Sequence, residues 1–206
     1  MAVEMYNRDC MELMAEYPDK HFDLAIVDPP YGIGMGGGQW GNSRKTFKNF
    51  HGGDRAIPSA EYFKELMRVS ENYIIWGGNY MTEHLPPSAC FIVWDKVQPA
   101  KFTMAMAELA VTSFNSPAKI FKHRVVGGLD GGKIHPTQKP SRLYRWLLSN
   151  YAKEGDKILD THGGSGSICI ACHDLKFDLV WTELDKDYYD AALKRFNAHA
   201  AQLTLL

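Results

Sequence analysis

The sequence has little cysteine: four residues among 206, at positions 10, 90, 169 and 172. It has no apolar run approaching the roughly 18 residues that a membrane span requires. Its first ten residues carry neither the basic start nor the apolar core of a signal peptide. The expected location is therefore the cytoplasm, with the cysteines reduced. Cys169, Cys172 and His173 match the spacing of a c-type haem attachment site, but that chemistry belongs to exported proteins. No second ligand pair follows for zinc, so no metal is expected. Small buried residues of a core helix account better for both cysteines. There are no repeats and no low-complexity stretch beyond the glycine-rich patch at Gly32 to Gly41. Excess charge is missing too, with 23 basic and 24 acidic residues giving a net charge of -1.

What is present is an ordinary globular composition, 45% hydrophobic and 23% charged, at a length that suits one domain with a proper core. The charge is unevenly spread. From Lys96 to Arg145 nine Lys and Arg face only Glu108 and Asp130, which leaves this stretch at +7 and the rest at -8. Such asymmetry suits a basic face on an acidic body, the footprint of phosphate contacts.

Phe22 to Val27 is a short apolar run stopped by Asp28, Pro29 and Pro30, which predicts a buried strand. Gly32 to Pro58 reads as a long mobile loop. Ser59 can cap a helix running to Val69, with Tyr62, Phe63, Leu66 and Met67 on one face. Further strands are expected at 72–76, 90–94 and 109–114, and a helix at 141–151. The last third alternates strictly: strand 156–160, glycine turn 163–166, helix 167–175, strand 178–183, helix 187–198. That order requires a parallel sheet covered by helices, an α/β fold.

Two segments carry chemistry. Glycines 163, 164 and 166 let the backbone approach a ligand, and the helix start beyond them favours polar or anionic groups. Glu183 ends the next strand 23 positions after Asp160, where a carboxylate can accept from both hydroxyls of a ribose. Together they indicate an adenosine-type cofactor. The other segment is Asp28-Pro29-Pro30-Tyr31, at the strand end where parallel sheets bind ligands. A carboxylate and a proline carbonyl supply two acceptors for a planar NH2 group, and Tyr31 adds a face for stacking on a base. Negative charge at Asp28 would stabilise positive charge developing on the nitrogen.

Asp28 to Tyr31, with Asp160-Thr161-His162-Gly163-Gly164-Ser165-Gly166-Ser167, resembles the amino-methyltransferases of DNA. His135 to Pro140 resembles the segment those enzymes place beside the methionine part of S-adenosyl-methionine. Asn7 to Leu13 resembles the one that lines the cofactor adenine. The order, tetrapeptide first and cofactor turn last, is that of the β subgroup.

The resemblance covers nearly the whole chain and implies a single domain with a three-layer Rossmann-like methyltransferase fold. Its sheet should have seven strands, mostly parallel, with one antiparallel. S-adenosyl-L-methionine would be held by Asp9, Cys10, Thr137, Gln138, Lys139, Asp160, His162, Gly164, Gly166, Ser167 and Glu183. Asp28, Pro29, Pro30 and Tyr31 would be catalytic, acting on a base flipped out of the duplex. Asp at position 28 points to adenine N6, with cytosine N4 as the alternative. The partner implied is double-stranded DNA, with the choice between monomer and homodimer left open, and with no membrane and no metal.

Three departures from the family pattern stand out. Thr161 and His162 replace the usual Pro and Phe of the cofactor turn. Only a short basic insertion near 115–134 stands where relatives carry a recognition domain, with Lys119, Lys122 and Arg124 as DNA contacts. The loop bearing Trp40, Arg44, Lys45 and Lys48 is unusually rich in glycine and is expected to close over DNA. Methylation of RNA or of a protein amide, and a non-catalytic nucleic-acid-binding subunit, are the competing readings.

Overall fold

The structure, a computed structural model, describes residues 2–35, 53–99, 105–124 and 132–202, together with the backbone of two short strands at 38–39 and 46–47. Along the chain come β1 (Val3–Tyr6), α1 (Cys10–Ala15), β2 (Phe22–Val27), β3 (Gly38–Gln39), β4 (Thr46–Phe47), α2 (Ala60–Val69) and β5 (Ser70–Trp76). Next are β6 (Phe91–Asp95), β7 (Ala107–Thr112), β8 (Lys119–Lys122) and α3 (Ser141–Tyr151). The chain closes with β9 (Lys157–Asp160), α4 (Ser167–Leu175), β10 (Asp178–Thr182) and α5 (Lys186–Ala200). β3 and β4 pair with each other inside the long loop.

The main sheet runs β1-β10-β9-β2-β5-β7-β6-β8. β7 is antiparallel to both its neighbours, and every other pairing is parallel. The single reversed strand is as expected, but the sheet has eight strands rather than seven. The additional one is β8, from the stretch read as a basic insertion. It pairs with β6 and covers what would otherwise be an edge of free N–H and C=O groups.

Alternation along the central strands sorts side chains into two cores. Leu24 and Ile26 of β2 join Trp76, Trp94 and Trp181 under α3, α4 and α5. Ala25 and Val27 join Tyr73 and Ile75 under α1 and α2. Cys169 and Cys172 are fully buried in α4, where burial raises both thiols and they act as small core side chains. No helix among the described residues is long and apolar enough to cross a membrane.

This topology brings the functional segments together. β2 and β9 are neighbours, and the chain leaves them toward opposite edges of the sheet, so a crevice opens at their carboxyl ends. Asp28, Asp160, Glu183 and Asp9 all lie at or just beyond carboxyl ends of parallel strands. Because β7 runs backwards, its first residues, Ala107 and Glu108, come to that same edge.

Candidate functional site

One cavity of about 770 Å³ occupies this edge. Asp9, Cys10, His162, Gly164 and Glu183 line one end, and Asp28, Pro29, Pro30, Tyr31, Tyr80 and Glu108 line the other.

The turn between β9 and α4 is built as its glycines suggest. A Cβ on Gly163 would overlap the Trp181 ring, and Gly164 and Gly166 hold φ of +51° and +66°. Gly164 N–H donates to Glu183 Oε2 at 2.8 Å, and Asp185 N–H donates to Oε1 at 2.8 Å. Glu183 is thereby fixed by backbone donors on both of its oxygens. Burial raises its carboxyl and pushes that of Asp160 up to about 8. Asp9 caps α1 by accepting from Met11 N–H at 2.7 Å. Burial carries the Cys10 thiol to about 12, so it is a neutral wall residue.

His162 packs edge-on against Tyr62 with ring centroids 5.2 Å apart. Its Nδ1 is 3.0 Å from Thr161 Oγ1, which is 2.7 Å from Tyr62 OH. Burial lowers its pKa to about 4, so at neutral pH the ring is an uncharged, flat surface, much as a Phe would be.

Of the other predicted cofactor residues, Ser167 and Gln138 stand behind the wall. Ser167 donates to Lys139 C=O at 2.7 Å and receives Arg195 Nη1 at 2.9 Å, tying α4 to the segment before α3. Gln138 braces a turn: its Oε1 accepts from Ile134 N–H and its Nε2 donates to Gly132 C=O. Thr137 lines the cavity. Lys139 turns its ammonium toward the tetrapeptide, 2.5 Å from Asp28 Oδ2, 3.0 Å from Glu108 Oε2 and 3.1 Å from Tyr31 OH.

Tyr31 OH donates to Asp28 Oδ1 at 2.5 Å, and its ring stacks on Tyr80 with centroids 5.5 Å apart. Burial pushes the Asp28 carboxyl above its ordinary value, and the Lys139 ammonium opposes that rise. Burial would raise Glu108 as well, but Lys139 and Lys96 hold it down at about 2. The turn after Asp28 is held by Asp54, whose Oδ1 accepts from Tyr31 N–H at 2.6 Å and Gly32 N–H at 2.8 Å, and whose Oδ2 accepts from Met35 N–H at 2.8 Å.

The basic stretch is not one face. Lys96 and Lys139 are 8% and 3% exposed and belong to the cavity wall, while Arg145 pairs with Asp174. Lys119 donates to Asn150 at 2.9 Å, and Lys122 and Arg124 are exposed along and just past β8, away from the cavity lining. Trp40, Arg44, Lys45 and Lys48 lie outside the described residues. Sequence reasoning missed Asp54, Glu108, Lys96 and Tyr80. Glu108 and Asp54 are isolated acids with no motif around them, and Lys96 was counted with the surface charge.

A reversed strand in a parallel sheet, with a glycine turn facing a carboxylate across the crevice, defines a Rossmann-like methyltransferase fold. Residues 75–194, more than half of the chain, match the family model described as DNA methylase, and the chain belongs to that family. It is 23% identical to the type II methyltransferase M.HpaI of Haemophilus parainfluenzae, over 92% of this chain and 73% of that protein. Among solved structures it resembles the M1.HpyAVI–SAM complex, with a TM-score of 0.64 and 19% identity over 94% of this chain and all of that one. It also resembles the cytosine-N4-specific PvuII DNA methyltransferase, with a TM-score of 0.64 and 12% identity over 98% and 87% of the two chains.

Proposed function

We propose that this DNA methylase transfers the methyl group of S-adenosyl-L-methionine to an exocyclic amino nitrogen of a base flipped out of double-stranded DNA, with adenine N6 the preferred target. The observation that carries this reading is Asp28. Its carboxylate sits at the end of a central strand, in the same cavity as the glycine turn and Glu183. The cavity is large enough for a nucleoside-sized ligand together with a base.

The residues fit the cofactor. Glu183 keeps acceptor capacity for ribose hydroxyls, His162 and Cys10 offer uncharged walls for an adenine, and Thr137 and Gly164 stand at the methionine end. When bound, the cofactor supplies a methyl group already activated on a sulfonium, and no metal is required. Asp28 and the Pro29 carbonyl accept the two N–H bonds of the target amine, which directs its lone pair out of the base plane. Tyr31 and Tyr80 offer aromatic faces to the base. The negative charge of Asp28 stabilises the positive nitrogen of the transition state, and its carboxylate then takes the proton the methylated nitrogen sheds. Cytosine N4 is the second reading, because the PvuII enzyme carries out that chemistry on a similar fold.

The test is to incubate the protein with labelled S-adenosyl-methionine and mixed-sequence duplex DNA, then digest to nucleosides for mass spectrometry. N6-methyl-deoxyadenosine is expected, and Asp28→Ala should abolish it, with a loss of at least about 10²-fold, while cofactor binding stays. N4-methyl-deoxycytidine would move the assignment to the second reading. Wild-type transfer by Asp28→Ala would refute the mechanism.

A further inference from the structure

The Lys139 ammonium has three hydrogens and three oxygen partners: Asp28 Oδ2, Glu108 Oε2 and Tyr31 OH. Its side chain is 2% exposed, and Nζ lies 5.3 and 5.6 Å from the ring centroids of Trp76 and Tyr31. An ammonium so enclosed has no donor left for a cofactor carboxylate. Glu108 divides its own charge in the same way, with Oε2 on Lys139 and Oε1 2.5 Å from Lys96. The four formal charges of Asp28, Glu108, Lys139 and Lys96 cancel.

We propose that Lys139 is a positioning residue for methyl transfer, with Glu108 and Lys96 behind it. It keeps the Asp28 carboxylate charged and aimed at the place of the base amine, while Glu108 shares its hold so that Asp28 can exchange partners. The inference rests on the reading of Asp28 as the amine's acceptor. Around Asp28, Tyr31 approaches from its own turn, Lys139 from the segment before α3, Glu108 from β7, Tyr144 from α3 and Asp160 from β9. Of these described groups, Lys139 is the one cation in contact. Burial and the carboxylate of Glu108 both favour a protonated Asp28. A protonated Asp28 would lose half its acceptor capacity and its charge at once. Were Lys139 paired with Asp28 alone, an incoming amine would have to displace a closed ion pair. Shared between two carboxylates, the ammonium keeps a partner when Asp28 turns to the base.

The experiment is the single-turnover rate of label transfer to duplex DNA, at saturating cofactor and DNA, from roughly pH 5 to 9. A neighbouring cation holds a carboxylate down by about 1–3 pH units. Lys139→Met should therefore move the acid limb of the profile up by about one unit or more, and Lys139→Arg should restore it. Lys139→Met leaves the buried Asp28 without its cation and can fail to fold. The charge-balanced double variant Lys139→Met/Glu108→Gln removes one charge of each sign and should show an upward shift smaller than that of Lys139→Met, because Glu108 itself pushes Asp28 up by less than Lys139 holds it down. A folded, cofactor-binding variant of either kind with the wild-type acid limb overturns the proposal, even where its rate is lower. Asp28→Asn in the same assay separates the two levels. Near wild-type transfer there removes the underlying reading of Asp28, whereas lost transfer with an unmoved limb in the lysine variants removes only the role of Lys139.

Discussion

The ring of Tyr31 lies directly over Gly77, so that a Cβ added to Gly77 would overlap the ring atoms. Gly77 ends β5 with φ of +67°, and its N–H donates to Leu109 C=O on β7 at 2.8 Å. The floor under the tetrapeptide is therefore bare backbone, stitched between two neighbouring strands.

Gly77→Ala should push Tyr31 away from Asp28 and strain the backbone in the left-handed region. Overpacking of this kind costs about 1–3 kcal/mol, and the φ adds about 1 kcal/mol. Thermal unfolding should register the loss. Methyl transfer should fall by more than cofactor affinity does. Equal losses in both would mean that the floor supports the whole cavity rather than Tyr31.

Asp54→Ala leaves the N–H groups of Tyr31, Gly32 and Met35 without their acceptor. Hydrogen bonds to a charged group contribute about 1.5–3 kcal/mol each before water replaces them, so a net loss of about 2–4 kcal/mol is expected. Denaturant unfolding measures it. The transfer rate should drop further than stability alone explains, because the turn that aims Tyr31 is released.

Glu183→Gln keeps one oxygen acceptor and loses the charge. Either Gly164 N–H or Asp185 N–H then faces an NH2 group instead of an oxygen. Affinity for S-adenosyl-methionine should fall by at least about tenfold, or about 1.4 kcal/mol, in calorimetry. An unchanged affinity would take Glu183 out of the cofactor site.

His162 makes stability depend on acid. Unfolded, it takes up a proton as the pH falls through about 6.5, but folded it resists until about 4. The stability tied to its neutral form is full above pH 6.5 and is lost as the pH falls toward 4, by up to about 1.4 kcal/mol per pH unit. Asp160, pushed up to about 8, acts with the opposite sign, because its folded form holds a proton that the unfolded chain has released. His162→Phe leaves Asp160 in place. The difference between variant and wild type in urea unfolding at pH 5, 6 and 7 therefore isolates the histidine. The variant should lose less stability on acidification, and parallel curves would show that His162 is not held neutral.

The local parts of the molecule were legible in the residues. The helices at 141–151 and 167–175 follow the apolar periodicity and the glycine turn, and they occur at those bounds. β1 at Val3–Tyr6 escaped notice because four residues carry too little pattern. β8 did too, since its alternation of exposed Ile120 with buried Phe121 sits between lysines. Tyr31, Gly164 and Glu183 line one cavity, and each belongs to a contiguous segment whose geometry is local.

Lys139 shows the limit of such reading. Its place before the cofactor turn suggested the methionine end, while the fold aims its ammonium 111 positions back along the chain, at Asp28. The sequence by itself determined the strand-turn-helix units, the two chemical segments and the family, because these depend on neighbours along the chain. Only the tertiary structure decided which charges meet. A buried ion pair depends on where strands cross and which one runs backwards. Reversal of β7 brings Glu108 to Lys139, and no spacing in the chain encodes that distance.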